Sequence, residues 1–249
     1  HSPSTLTFWS NLGGVTVHTS LESSVKNADL IVVATPVDKI RETFVKISPF
    51  LKRGALVTDV GSVKGSVLAD ASVLPSSIDF VGSHPMAGSE KAGAKNAHAD
   101  LFDGRFCFIT PSPKNNDDSV NKLKKFWESL GSKTFICTAE KHDEIVAAVS
   151  HTPHASAAAL ILAVKNLPGF KGAAVGAGLK DSTRIAAGEE NLWVGILLSN
   201  ANHVSCGLKE VENQTRALRA AIEKGDAHAL CKILESARIA RQSLDQPHE

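Results

Sequence analysis

Short continuous apolar runs alternate with amphipathic stretches over the first half of the chain. The runs at 30–36 and 55–60 end in turn-forming residues, which is typical of strands buried on both faces of a parallel sheet. Residues 38–51, between them, carry apolar side chains at helical spacing, so the three segments predict a β-α-β unit. Further strands are predicted at 78–82, 106–110 and 133–137, with a helix at 122–130. Strands that alternate with helices predict a doubly wound, Rossmann-like α/β domain over residues 1–139.

The pattern changes after residue 139. Residues 140–166 are rich in Ala, Leu, Ile and Val at helical spacing, with an interruption at Pro153. Helices are also predicted at 192–221 and 226–244, the last with Asp226 as its N-cap. No strand pattern recurs, so residues 140–249 are predicted to form an all-helical domain.

Composition narrows the class of protein. A hydrophobic content of 43%, a charged content of 21% and a net charge of +1 are typical of a soluble globular protein and give no reason to expect a nucleic acid or an anionic membrane as partner. No apolar run in the sequence approaches the roughly 20 residues that span a bilayer. The four cysteines form no C-x-x-C pair, so we expect buried free thiols, no metal site and a reducing, cytoplasmic location.

The segment 82–93 combines three glycines and a proline with two titratable residues, His84 and Glu90. This composition predicts a loop rather than a strand or a helix, with an imidazole held close to a ligand. Open α/β sheets bind ligands beyond the carboxyl ends of their strands. Thr35 with Pro36, and Gly61 with Ser62, follow two predicted strands and are therefore candidates to contact a dinucleotide.

Four segments occur in order along the chain: DVGSVK at 59–64, GSHPMAGSEKAG at 82–93, SHTPH at 150–154 and DSTRIA at 181–186. Together they resemble the prephenate/arogenate dehydrogenase family of tyrosine biosynthesis. The resemblance implies an oxidoreductase that uses NAD or NADP, decarboxylates a small cyclohexadienyl substrate oxidatively, and forms a homodimer through its helical domain.

The resemblance also implies roles for individual residues. His84 would be the catalytic base, and Ser62 would hydrogen-bond either the imidazole or the substrate hydroxyl. Arg184 would anchor a substrate carboxylate through its guanidinium, and His154 would face the substrate. Glu90 would help to order the active site or its entrance.

Each of these residue types also has a structural interpretation. A serine after a strand is often a helix N-cap, and Glu90 could be a surface carboxylate. Arg184 could form a surface ion pair, and Trp193, which matches a tryptophan near the site in some relatives, could belong to the core. We expect His151 to be a packed, hydrogen-bonded histidine and Lys64 to be structural or solvated.

The phosphate-binding fingerprint G-x-G-x-x-G is absent from this sequence. The resemblance places it upstream of His1, together with the residue that selects NAD or NADP, so the sequence leaves the choice of cofactor open. Prephenate and arogenate both remain possible substrates. His154 favours prephenate, because some arogenate-specific relatives lack this histidine.

Two other functions remain open from the sequence. A β-hydroxyacid dehydrogenase has the same domain order but relies on a lysine in its helical domain, for which Lys165 and Lys180 are the candidates. A non-catalytic module that senses an aromatic amino acid would explain the missing glycine loop. It would not explain the joint presence of four residues: Ser62, His84, His154 and Arg184.

Overall fold

The computed structural model describes residues 3–11, 14–87, 93, 96–170 and 175–245. The chain divides into two compact units, His1–Val204 and Ser205–Glu249. The predicted domain boundary between residues 139 and 140 falls inside the first unit and stays a prediction.

Six strands form two three-stranded sheets in the first unit. In the first sheet β1 (Leu30–Val33), β2 (Leu56–Asp59) and β3 (Asp79–Phe80) are parallel, in the order β1-β2-β3. In the second sheet the order is β4-β5-β6; β5 is antiparallel to β4 and parallel to β6. The strands of this sheet are β4 (Gly82–Pro85), β5 (Phe106–Thr110) and β6 (Lys133–Ile136).

Eleven α-helices surround and follow the strands in the described residues. Those of the α/β part are α1 (Pro3–Ser10), α2 (Leu21–Val25), α3 (Ile40–Ile47), α4 (Gly65–Asp70) and α5 (Asp117–Ser129). Those that follow are α6 (Ala139–Val146), α7 (Thr152–Lys165), α8 (Ala177–Thr183), α9 (Glu190–Ser199), α10 (Ala201–Glu223) and α11 (Ala227–Ser243). No strand follows β6 within these described residues, so the predicted change from α/β to all-helical structure is confirmed.

The β-α-β unit forms for the reason that its sequence indicates. Every residue of β2 is buried, and α3 turns Ile40, Phe44 and Ile47 into the same core, at the helical spacing read from the sequence. The rings of Phe44 and Phe80 meet edge to face with centroids 5.3 Å apart. This core fixes where β1 and β2 end, and hence where residues following those strands lie.

The segment 82–93 corrects one expectation, because its first four residues form the buried strand β4 rather than a loop. Ser83 supplies the reason: its hydroxyl donates to the Asp59 carbonyl at 2.6 Å, and its amide donates to Asp59 Oδ1 at 3.3 Å. A Cβ on Gly82 would lie 2.5 Å from Thr110 Oγ1, so this glycine permits close approach of two strands. Pro85 closes the strand at the edge of its sheet, where a missing N–H is tolerated.

A continuous helical stretch runs from Ala139 to Lys165, and Pro153 does not break it. The π-helical turn Ala147–His151 joins α6 to α7, and Pro153 lies in the first turn of α7. The stretch is 27 residues long with a mean hydropathy of 1.4 in its most apolar window, so by length and composition it could cross a membrane. The expectation that no segment is long enough was therefore wrong. Its buried His142 and His151 form hydrogen bonds within the fold.

The C-terminal helices differ from the predicted ones in one respect. The helix predicted at 192–221 is divided at Asn200, between α9 and α10. Asp226 is the N-cap of α11, as predicted, because its Oδ1 accepts a hydrogen bond of 2.9 Å from the Ala229 amide. The four cysteines are free thiols, as expected, but only Cys107 is buried. The expectation of burial was wrong for Cys206 and Cys231, which lie on exposed faces of α10 and α11.

Candidate functional site

A cavity of about 440 Å³ lies in the first unit. Its walls come from the end of β4, the residue after Gly61, the π-helical turn and α7, and the chain from Arg184 to Ile196. Four of the predicted site residues line it together: Ser62, His84, His154 and Arg184. Glu90, the fifth, lies outside the described residues.

His84 is held rigidly on β4. It pairs with Phe108 in the sheet register, and its ring also stacks against that of Phe108, at a centroid distance of 6.4 Å. Burial lowers the pKa of His84 well below 6.5, and the nearby charges of His142, Lys64 and His151 act in the same direction. The imidazole is therefore neutral at neutral pH, which is the form that can accept a proton.

The partner of the His84 ring was missed by the sequence analysis. His84 Nδ1 lies 2.8 Å from His142 Nε2, and His142 Nδ1 lies 2.7 Å from Asp143 Oδ1. Asp143 in turn accepts hydrogen bonds from the amides of Lys64, at 2.7 Å, and Gly65, at 2.8 Å. His84 and His142 are separated by 58 residues, and no local motif links them.

Ser62 does not cap the helix that follows it, which was its structural interpretation from the sequence. Helix α4 begins at Gly65 with Lys64 as its N-cap, so Ser62 is not the N-cap. Among the hydrogen bonds of the described residues, none joins Ser62 to the His84 imidazole, whose Nδ1 is bonded to His142 instead. Ser62 faces the same cavity as His84, which leaves the substrate hydroxyl as its predicted partner.

Beneath β4 lies a buried ion pair between Asp59 and Lys64, whose side chains are 0% and 1% exposed. Lys64 also donates to the Ser83 carbonyl at 2.9 Å, and the Gly61 amide donates to Asp59 Oδ2 at 2.8 Å. Burial raises the pKa of Asp59 and lowers the pKa of Lys64, and each charge opposes the shift of the other. Lys64 is thus structural and not solvated.

His154 lies on α7 with its ring stacked on that of Trp193 at a centroid distance of 3.3 Å. The site for this stack exists because Gly188 has no side chain: a Cβ there would lie 2.5 Å from Trp193 Nε1. The Nδ1 atom of His154 is buried and has no hydrogen-bond partner within the described part of the chain. Burial lowers the pKa of His154. This nitrogen is sealed from solvent, so a ligand in the cavity meets other atoms of the His154 side chain, which lines the wall.

His151 is buried and hydrogen-bonded, as predicted. Asn200, at the break between α9 and α10, donates to the Asp143 carbonyl at 2.8 Å and to His151 Nδ1 at 3.2 Å. The Asn200 side-chain oxygen accepts from His203 Nδ1 at 3.0 Å. Burial lowers the pKa of His151 to about 4. The side chain of Asn200 therefore ties α9 and the first residues of α10 to the end of α6.

Arg184 begins a short 3₁₀ turn, Arg184–Ala187, at the end of α8 and lines the cavity. Glu189, which the sequence analysis did not single out, lines it as well and caps α9 by accepting a hydrogen bond of 2.6 Å from the Leu192 amide. That bond lowers the pKa of Glu189. The cavity wall thus presents one guanidinium and one carboxylate near the buried histidines.

The residues predicted to contact a dinucleotide follow adjacent strands. Val33 pairs with Asp59 in the parallel register, so β1 and β2 end side by side. The residues beyond these carboxyl ends therefore lie close together: Thr35 and Pro36 after β1, and Gly61 and Ser62 after β2. A Cβ on Gly61 would lie 2.9 Å from Asp59 Oδ2, so only glycine fits this turn without displacing that carboxylate. Because Ser62 also lines the cavity with His84, the geometry fits a dinucleotide whose nicotinamide end reaches the cavity.

Most of this sequence matches the models of one protein family. Residues 11–136 match the model of the prephenate dehydrogenase nucleotide-binding domain, and residues 138–236 match that of the prephenate dehydrogenase dimerization domain. The chain belongs to the prephenate dehydrogenase family. The α/β fold followed by helices is accordingly the fold of this family.

Individual members of the prephenate dehydrogenase family are similar over most of this chain. Prephenate dehydrogenase of Bacillus subtilis is 35% identical over 90% of this chain and 62% of its own length. Cyclohexadienyl dehydrogenase of Zymomonas mobilis is 31% identical over 96% of this chain and 83% of its own length. The chain therefore spans less than two thirds of the Bacillus subtilis relative.

Solved structures of the prephenate dehydrogenase family have the same fold. Aquifex aeolicus prephenate dehydrogenase, in complex with hydroxyphenyl propionate and NAD+, superposes with a TM-score of 0.84 at 32% identity, over 92% of this chain and 81% of that one. Synechocystis arogenate dehydrogenase superposes with a TM-score of 0.77 at 28% identity, over 91% of this chain and 82% of that one.

Membership of the prephenate dehydrogenase family removes the support for a β-hydroxyacid dehydrogenase. Its candidate lysines, Lys165 and Lys180, are exposed, and neither belongs to the cavity wall formed by the described residues. The site histidine His84, by contrast, lies at the cavity in the G-x-H-P segment that carried the resemblance.

Proposed function

We propose that this protein is an NAD(P)-dependent prephenate dehydrogenase, which converts prephenate to 4-hydroxyphenylpyruvate and CO2. The observation that carries the proposal is a neutral, buried His84 in the same cavity as Arg184 and His154. The similarity to prephenate, cyclohexadienyl and arogenate dehydrogenases supports the reaction class but not one substrate. Arogenate is therefore the second candidate.

The residues of the cavity suit this reaction. The oxidised nicotinamide, when bound, supplies the acceptor for a hydride. His84 takes the proton from the hydroxyl on the substrate ring as the carbonyl forms, which requires an unprotonated imidazole within hydrogen-bond reach. The resulting electron demand releases the ring carboxylate as CO2, and the electrons of the broken bond make the ring aromatic. The ring oxygen then takes back the proton from His84, which completes 4-hydroxyphenylpyruvate.

The remaining cavity residues orient the substrate. Arg184 binds a substrate carboxylate through two parallel N–H donors, a geometry that lysine lacks. His154 lines the part of the cavity that takes the polar group of the substrate side chain, and Ser62 holds the hydroxyl near His84. Thr35, Pro36, Gly61 and Ser62 contact the dinucleotide. Glu90 helps to order the active site or its entrance.

We also propose that the protein is a cytoplasmic homodimer. The match of residues 138–236 to a dimerization domain supports this, as do large apolar side chains that are exposed on the C-terminal helices. Examples are Leu198, Ile222 and Leu244, which are 72%, 64% and 69% exposed. Light scattering of the purified protein measures the assembly, and a monomeric mass would contradict it.

The test of the function is a spectrophotometric assay of the full-length protein with prephenate and arogenate, each with NAD and NADP. Reduced nicotinamide is expected with prephenate and at least one of the two cofactors. His84→Asn should abolish it while the protein still folds and binds the dinucleotide. Turnover of arogenate alone would replace the first candidate by the second, and no turnover with any pair would contradict the family activity for this protein.

A further inference from the structure

Three buried groups form an unbroken hydrogen-bonded chain that ends at the cavity: Asp143, His142 and His84. The Asp143–His142 contact is 2.7 Å and the His142–His84 contact is 2.8 Å. His142 is 0% exposed, and both of its ring nitrogens are used by the chain.

The protonation states of the three side chains follow from the charge of the Asp143 carboxylate. Burial raises the pKa of Asp143, but hydrogen bonds from His142 and from the amides of Lys64 and Gly65 outweigh it and lower that pKa. An ionised carboxylate only accepts, so His142 Nδ1 must carry the hydrogen. His142 is neutral, because burial lowers its pKa, so its Nε2 is an acceptor. The hydrogen of the 2.8 Å contact therefore belongs to His84 Nδ1.

We infer that His142 is a positioning residue, which fixes His84 in the tautomer that carries its hydrogen on Nδ1 and keeps Nε2 free to accept a proton in the cavity. This inference rests on the proposed function, in which His84 is the base. A neutral histidine can otherwise carry its hydrogen on either nitrogen, and a hydrogen on Nε2 would make it a donor to the substrate instead of an acceptor.

Neighbouring backbone and side-chain groups hold Asp143, His142 and His84 in place. Asp143 is anchored by the backbone at the start of α4, which follows Ser62 by three residues, so the base and the Ser62 turn are tied to one carboxylate. The ring of Phe108 meets the His142 ring edge to face, with centroids 5.0 Å apart, and stacks on His84 as well. When His84 takes up a proton, its Nδ1–H still donates toward His142, and the Asp143 carboxylate stabilises the positive charge.

The test combines two variants of His142 with a direct measurement of the His84 tautomer. In His142→Phe the acceptor is lost; in His142→Gln the amide oxygen can occupy the position of Nε2 and accept from His84. Nitrogen-15 NMR of the histidine-labelled full-length protein should show hydrogen on Nδ1 of His84 in the wild type and in His142→Gln. In His142→Phe it should show the other tautomer or a mixture.

Kinetics supply the second readout. We expect kcat to fall about 100-fold in His142→Phe, by less than tenfold in His142→Gln, and KM to change little in either, because general-base catalysis contributes roughly 10²–10⁴-fold. His98→Gln removes a matched histidine–aspartate pair, with a 2.6 Å contact to Asp100, at an exposed position and should change nothing. Wild-type His84 with hydrogen on Nε2, or an unchanged tautomer and kcat in His142→Phe, would overturn the inference. Failure of the wild type to oxidise prephenate or arogenate would overturn the proposed function, while the NMR result would still decide the tautomer.

Discussion

The imidazole of His154 lies flat against the indole of Trp193, with their planes inclined by 11° and their centroids 3.3 Å apart. Gly188 makes room for this stack, since a Cβ there would also lie 3.2 Å from His154 Cε1. From the sequence, Trp193 could belong either to the core or to the site. In the structure it does both, because it packs against the core and also lines the cavity, where it sets the position of His154.

Gly188→Ala should therefore disturb substrate binding. The new methyl group must displace Trp193, and the stacked His154 moves with it. We expect KM to rise about tenfold and the free energy of unfolding to fall by about 1–3 kcal/mol. Gly178→Ala is the control, because a Cβ at Gly178 meets nothing within 4 Å. Steady-state kinetics measure KM, and urea unfolding measures the free energy of unfolding. Equal KM values for the two variants would show that the His154–Trp193 stack does not affect substrate binding.

Arg184→Gln should weaken the binding of the anionic substrate. Loss of charge-assisted hydrogen bonds worth about 1.5–3 kcal/mol raises KM about 10- to 100-fold. Arg184→Lys should recover only part of this, because lysine lacks the planar pair of donors. Arg219→Gln, at an exposed position where arginine pairs with Glu223, serves as the control. If Arg184→Gln left KM unchanged for prephenate and arogenate, the guanidinium would not bind the substrate carboxylate.

The Asp59–Lys64 pair should be sensitive to loss of one partner. Asp59→Asn or Lys64→Met leaves the other group buried without its counter-charge, which costs about 3–5 kcal/mol. The double variant should be less destabilised than the sum of the two single variants, because it buries no unpaired charge. Chemical denaturation measures all four proteins. Additive effects would show that the two side chains do not interact in solution.

The pH dependence of turnover should report the lowered pKa of His84. The base acts in its neutral form, and burial lets that form persist to a lower pH than in an exposed histidine. We expect log kcat/KM to be level from pH 8 down to about 6.5 and to decline only below that value. Circular dichroism at each pH excludes unfolding as the cause. An acid limb centred above pH 6.5 would contradict a buried, neutral base.

His151 should make the protein less stable in acid. In the folded state its pKa is lowered to about 4, whereas in the unfolded chain it takes up a proton from about pH 6.5. The unfolded state therefore binds more protons between these values, so stability falls as pH decreases through that window. At pH 5 the loss due to His151 is about 2 kcal/mol. His151→Gln should abolish that part of the loss, and His228→Gln, at an exposed position, should not.

Much of the fold could be predicted from local sequence. The strands expected in the apolar runs 30–36 and 55–60 are present, and so is the helix expected between them. Ile40, Phe44 and Ile47 can all face one core only if the segment is helical, so their spacing identifies the helix. Asp226 was identified as an N-cap because capping depends on neighbouring residues. β4 was missed because its glycine and proline suit a loop locally, and only contact with Asp59 and Thr110 explains a strand there.

Some residues of the candidate site could likewise be predicted from the sequence, and others could not. Ser62, His84, His154 and Arg184 could be named from ordered motifs that resemble a known family, and the structure brings them to one cavity. His142 and Asp143 could not, because their hydrogen bonds reach residues 58 and 79 positions away and no spacing in the chain encodes such contacts.

The sequence by itself determined five of the six strands, the change to helices that follows them, the family and the residue types available for chemistry, because periodicity, caps and motifs are local properties. The tertiary structure decided which of those residues act together: the Asp143–His142–His84 chain, the buried Asp59–Lys64 pair and the His154–Trp193 stack. These contacts depend on how distant segments pack, and packing is set by the whole core rather than by any one stretch of residues.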